Sequence, residues 1–120
     1  MDWTHRCRTR REIRPNKVKR IVLFTQAIDD LEHAFEYYFD AANLQLAERF
    51  RDAVAEALAH IKQHPTTGST RYSVTRVKPP MRFWTLNHFP YAVFYFAHSE
   101  HIDVIRVLHQ SSDIPAHLQP

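Results

Sequence analysis

MRFWTLNHFPYAVFYFAHSEHIDVIRVLH, residues 81–109, carries most of the chain's strand-forming sequence. Aromatic and β-branched residues dominate three runs of it, 81–88, 91–98 and 101–109. Such side chains fit the pleated, half-buried surface of a strand. Phe89-Pro90 and Ser99-Glu100 are the short links between the runs, so the stretch predicts a three-stranded antiparallel meander with two-residue turns. Neither link has the Asn-Gly chemistry such turns prefer. On that register Arg82 stands across from Ala97 and Ile102, Trp84 from Tyr95 and Val104, and Leu86 from Val93 and Arg106. Phe83, Phe94, Phe96, Ile105 and Val107 make the other face, and its greater apolarity places it under the helices. The face with Arg82, Trp84, Tyr95 and Arg106 is then expected to be the more open one.

Working back from residue 81, Pro79-Pro80 and the 65–69 run of Pro65, Thr66, Thr67, Gly68 and Ser69 mark a connector, with a short extended piece expected over 72–77. Before it, Ala47, Phe50, Val54, Ala57, Leu58 and Ile61 recur at helical spacing, which predicts a helix over 44–63. Asn43 is its N-cap, and His64-Pro65 stops it because proline disfavours helical geometry in the residue ahead of it. A second stripe, Ala27, Ile28, Leu31, Ala34, Phe35, Tyr38 and Phe39, predicts a helix over 26–40 capped by Thr25, with Asp29 and Asp30 complementing its positive end. The link 41–43 folds the two helices into an antiparallel hairpin. Val18 to Phe24 reads as a first strand. The fold class is α+β, ordered strand-helix-helix-strand-strand-strand, with the hairpin on one face of a mainly antiparallel sheet.

With 120 residues, 44% of them hydrophobic, and eight Phe, five Tyr and two Trp, the chain makes one domain with one core. The reading divides it into a flexible basic arm (1–17), a domain (18–113) and a tail (114–120). The arm carries six basic groups against two acids, whereas the remainder carries ten against eleven. A basic arm can bind nucleic acid or acidic protein. Short arginine runs are common, and this one is read as a solvated leader. No apolar run approaches membrane-spanning length, and no signal-peptide core follows the early arginines. Cys7 is the only cysteine, which suits a reducing cytoplasm. Gly68 is the only glycine, so phosphate-cradling Gly-rich loops are excluded.

Five pieces then occur in order: Phe24-Thr25-Gln26-Ala27-Ile28-Asp29-Asp30-Leu31; Ala47-Glu48-Arg49-Phe50; His64-Pro65 with Gly68; Phe89-Pro90-Tyr91-Ala92-Val93-Phe94-Tyr95; and Ile105-Arg106-Val107-Leu108-His109. In this order and spacing the chain resembles the ParE/RelE toxin superfamily of type II toxin–antitoxin systems, also linked to plasmid stabilisation, and sits closer to ParE. Two departures stand out: His109-Gln110-Ser111-Ser112-Asp113 replaces the frequent His-x-x-Arg-Asp, and the basic arm lies outside the pattern. The resemblance implies a toxin that poisons DNA gyrase by binding, a ParD-like antitoxin that neutralises it, and operator DNA bound by the pair through the antitoxin. Arg82, Trp84, Tyr95, Arg106 and His109 are the residues expected to contact a partner.

The alternative within the superfamily is a RelE-like ribonuclease that cuts messenger RNA on the ribosome. That chemistry needs a base, a cation for the phosphorane and an acid. Arg82, Arg106 and His109 are the side chains that would serve. Against this, Arg106 and His109 are three positions apart, on opposite faces of a regular strand, and lysines to hold RNA phosphates are sparse. The structural alternatives are an ion pair from Arg106 to a helix carboxylate and a hydrogen-bonded strand end for His109. Nine histidines invite a metal reading, but His60 and His64 have no cysteine pair and no H-E-x-x-H glutamate beside them. They are read as complementing a helix C-terminus, and no metal or cofactor is assigned.

Overall fold

The computed structural model describes residues 19–73 and 78–111; the basic arm, the tail and most of the 72–77 piece lie outside them. The elements are β1 (Arg20–Leu23), α1 (Thr25–Ala41), α2 (Leu44–Gln63), β2 (Met81–Thr85), β3 (Tyr91–Ala97) and β4 (His101–His109). This is the α+β order read from the sequence. The sheet runs β1-β4-β3-β2. β2, β3 and β4 form the antiparallel meander, and β1 adds to β4 in parallel.

α2 begins and ends as its sequence dictates. Asn43 Oδ1 accepts the Leu46 amide at 2.9 Å, and the chain leaves the helix at His64, whose amide reaches the His60 carbonyl at 2.8 Å. α1 starts one residue earlier than expected. Phe24 occupies the N-cap and no side chain caps it, so Thr25 is the first helical residue. The Phe24 amide still bonds the Val104 carbonyl at 3.0 Å, so the strand runs into the helix without a linker. Asp29 and Asp30 therefore fall in the second turn rather than the first.

The main core lies between the hairpin and the sheet. Ala27 and Ala34 of α1 and Phe50, Val54, Ala57, Leu58 and Ile61 of α2 meet Ile21, Val93, Tyr95, Ile102, Val104 and Val107. The helices thus cover the face that carries Tyr95 and Trp84, the opposite of the sequence expectation. Both faces are apolar, so apolarity could not choose between them. Topology does: β1 and β2 run the same way at the two edges, which makes the hairpin a crossover between parallel strands, and such crossovers have a fixed hand. The other face gathers Met81, Ala92, Phe94 and Leu108, with Tyr72, Phe83, Phe96 and Ile105 against them.

The strand register departs from expectation at one turn and agrees at the other. Ala97 pairs with Ile102, so Ser99-Glu100 is the expected two-residue link. Arg82 pairs with Tyr95, not Ala97, because the β2–β3 link takes in Asn87 to Pro90. Pro90 has no amide to extend the ladder, and His88 takes a left-handed conformation at φ 68° to close the loop. β4 also bulges: Tyr95 pairs with Val104 but Phe94 with Arg106, leaving Ile105 extra, so Val93 faces Val107 and not Arg106.

Candidate functional site

The expected site residues divide into two separated groups. The first clasps the connector that follows α2. Ser69 and Phe83 exchange amide–carbonyl bonds at 2.9 Å each, laying the connector along β2. Arg82 Nη1 donates to the carbonyls of Thr66 (3.0 Å) and Gly68 (2.9 Å). The Tyr95 hydroxyl, fully buried, donates to the Pro65 carbonyl at 2.8 Å. Burial raises the Tyr95 pKa; a backbone hydrogen bond from Gly68 and the Arg82 charge pull the other way. A Cβ on Gly68 would run into that hydroxyl and stand 2.9 Å from the Phe83 carbonyl, which is why the chain's one glycine lies here. Trp84 stacks on His60 with ring centres 3.9 Å apart, and His60 Nε2 lies 2.9 Å from Thr67 Oγ1.

The second group lies along β4. β1 stops at Leu23, opposite Val104, so among the described residues β4 continues with no strand beside it on that side. Asp30 of α1 fills the place. Its Oδ2 accepts the Val107 amide at 2.9 Å and Arg106 Nε at 2.8 Å, and its Oδ1 accepts Arg106 Nη2 at 3.0 Å. The hydrogen bonds to Asp30 raise the Arg106 pKa despite partial burial. At the strand end, His109 Nδ1 accepts from the Ser111 amide at 3.0 Å, lies 2.7 Å from its hydroxyl, and the imidazole packs edge-on to Tyr91 at 5.0 Å. Arg82 and Arg106 stand two strands apart, roughly 10 Å by strand spacing. One is anchored on the connector and the other on α1, and the structure does not bring them together.

Sequence reasoning missed a third feature. Phe24, Ile28, Tyr37, Phe39 and Leu44 are exposed by 44%, 40%, 61%, 48% and 50%. Ile28, Phe35 and Phe39 share one flank of α1 by helical spacing. That flank is turned toward α2, where the Arg51 guanidinium lies 5.7 Å from the Phe35 ring centre. With Leu44 at the start of α2, these residues form an apolar row along the hairpin. The sequence held a signal: the α1 stripe has seven apolar positions, more than one sheet-facing side can bury. Ala27 and Ala34 take the centre, and the larger residues are left at the rim.

No curated protein matches this sequence. Among solved structures, a chain described as the chromosomal ParDE TA system from P. aeruginosa superposes with a TM-score of 0.62 at 16% identity, over 77% of this chain and 96% of that one. At that identity the likeness shows the fold. The family described as ParE toxin of type II toxin-antitoxin system, parDE, matches residues 21–114, from β1 to beyond the end of β4. The chain belongs to the ParE toxin family of type II toxin–antitoxin systems.

Proposed function

We propose that the protein is a cytoplasmic toxin that inhibits DNA gyrase by binding it, breaks no bond itself, and is held inactive by a ParD-like antitoxin through which the pair binds operator DNA. The observation that carries the binding reading is the dispersal of Arg82, Arg106 and His109. Each is engaged in a different part of the fold: on the connector, on Asp30 and on Ser111. Phosphoryl-transfer chemistry would need them within reach of one phosphate and one 2′-hydroxyl. A fully buried Tyr95 offers a substrate or a partner no surface.

The apolar row on the hairpin suits an amphipathic antitoxin helix, which recognises such a surface through anchors at i, i+3, i+4 and i+7. Arg51, exposed on α2 beside Phe35, would meet acidic side chains at the rim. The test is co-expression with the product of the adjacent small reading frame. The two should co-purify. Ile28→Glu with Phe39→Glu should weaken the complex by at least about thirtyfold, since each anchor carries roughly 1–3 kcal/mol. A neighbouring product that neither binds the protein nor restores growth would count against the proposal.

A further inference from the structure

The β3–β4 turn holds a cluster of ligand-type side chains that the toxin reading does not use. His98 follows β3, His101 opens β4, and Asp103 lies two residues further on, on the same side of the strand as His101. The turn is fixed by the His98 amide on the His101 carbonyl at 2.8 Å, and the flanking strands by the pairs Ala97–Ile102 and Phe96–Asp103. His98 Nε2 lies 3.1 Å from Asp103 Oδ2, and His101 Nε2 lies 3.3 Å from Asp103 Oδ1. The two imidazoles are stacked, with centres 4.6 Å apart at 22°. One ligand atom from each residue falls within 4.8 Å of the other two.

Two ligands held 2.0–2.1 Å from a tetrahedral zinc ion are about 3.3 Å from each other. Each imidazole nitrogen already stands at about that distance from one oxygen of Asp103, His98 from Oδ2 and His101 from Oδ1. We propose that His98, His101 and Asp103 form a binding site for a divalent first-row transition ion of the zinc class. Two imidazoles and one carboxylate suit zinc, cobalt, nickel or copper, whereas magnesium and calcium take oxygen ligands. Three protein ligands leave the remaining position to water. All three come from six consecutive residues of one hairpin, so binding needs no rearrangement of the fold. Lys19 Nζ donates to the His98 carbonyl at 2.7 Å, which holds the first ligand's backbone in place and brings a positive charge near the turn. That charge opposes the ion and restrains the affinity.

The site stands apart from the toxin reading, and its test does not depend on toxicity. The 120-residue chain, prepared without a histidine tag, is titrated with zinc by calorimetry. Cobalt is then substituted so that its visible absorption reports the coordination geometry. One equivalent should bind and raise the melting temperature. His101→Ala and Asp103→Asn should each weaken binding by more than the roughly 10–100-fold that loss of an outer-shell partner costs. His60→Ala with His64→Ala should leave it unchanged. Circular dichroism confirms that the variants fold, and Asp103→Asn keeps the side chain's shape in any case. A chain that takes up no zinc, or one whose uptake survives both His101→Ala and Asp103→Asn, overturns the proposal.

Discussion

Asp30 holds Arg106 through both carboxylate oxygens, at 2.8 and 3.0 Å, and takes the Val107 amide with the same group. One carboxylate thereby closes the open side of β4 where β1 ends and ties α1 to the sheet. Both side chains are mostly buried, at 18% and 15% exposure. Removing one partner strands the hydrogen-bonding groups of the other, which costs about 1.5–3 kcal/mol for a charged pair partly open to solvent. Asp30→Ala should therefore lower stability by about that much in urea denaturation. Arg106→Ala should cost a comparable amount. A stable Arg106→Ala protein that had lost toxicity would assign the arginine a functional task instead.

Gly68 and Tyr95 should be coupled. Gly68→Ala places a methyl group against the Tyr95 hydroxyl, and overpacking of this kind costs about 1–3 kcal/mol. Tyr95→Phe leaves the Pro65 carbonyl without its donor and costs roughly 1–2 kcal/mol. Together the two changes should cost less than their sum, because the second removes the atom that the first collides with. Additive losses in a double-mutant cycle would mean that the clash is relieved by other movement.

Phe50 and Phe35 should differ. Phe50 is 1% exposed and packs on Tyr38, Phe89 and Tyr91, with ring centres 5.3–5.4 Å away. Phe50→Ala should cost about 3–5 kcal/mol. Phe35 is half-buried beneath Arg51, and Phe35→Ala should cost roughly 1 kcal/mol. Equal denaturation midpoints for the two variants would show that the helix faces are misassigned.

Alkaline stability follows from three tyrosines. Burial raises the pKa of Tyr38, Tyr91 and Tyr95 above the ordinary value of 10.0. Folding then favours the neutral phenol. The sign is that of a raised pKa: the contribution is complete below pH 10 and is lost as pH climbs from there through the folded-state values. The protein should lose stability above about pH 10, and phenolate absorbance from Tyr95 should appear together with unfolding. A Tyr95→Phe variant should show a shallower alkaline decline. Phenolate absorbance from Tyr95 in a chain that stays folded would contradict its burial.

The helices and the order of elements were legible because local rules agree there. Asn43 caps α2 and Pro65 follows its end, and Ala47 to Ile61 keep one period throughout. The sheet's covered face was not legible, since Val93 and Phe94 are equally apolar neighbours and only the crossover's hand separates them. The position of Arg106 depended on the bulge at Ile105, which no residue pattern announces. At the candidate site, the carboxylate partner of Arg106 was anticipated as a class, and Asp30 is the residue. The clasp of Arg82 and Tyr95 on the connector was missed because its acceptors are backbone carbonyls, which sequence does not display. His98, His101 and Asp103 carry a readable H-x-x-H-x-D spacing, yet its meaning required Ser99-Glu100 to be a tight turn.

A toxin that binds gyrase and one that cuts messages separate when the protein is induced alone and gyrase supercoiling and messenger RNA cleavage on translating ribosomes are measured side by side. Supercoiling should be inhibited and the messages should stay intact. His109→Ala should keep most of the inhibition, since loss of one contact removes about 1–3 kcal/mol at most. A general acid or base would be worth about 10²–10⁴ in rate. Codon-phased cuts that vanish in the His109→Ala or Arg82→Ala variant, with gyrase unaffected, would contradict the binding reading.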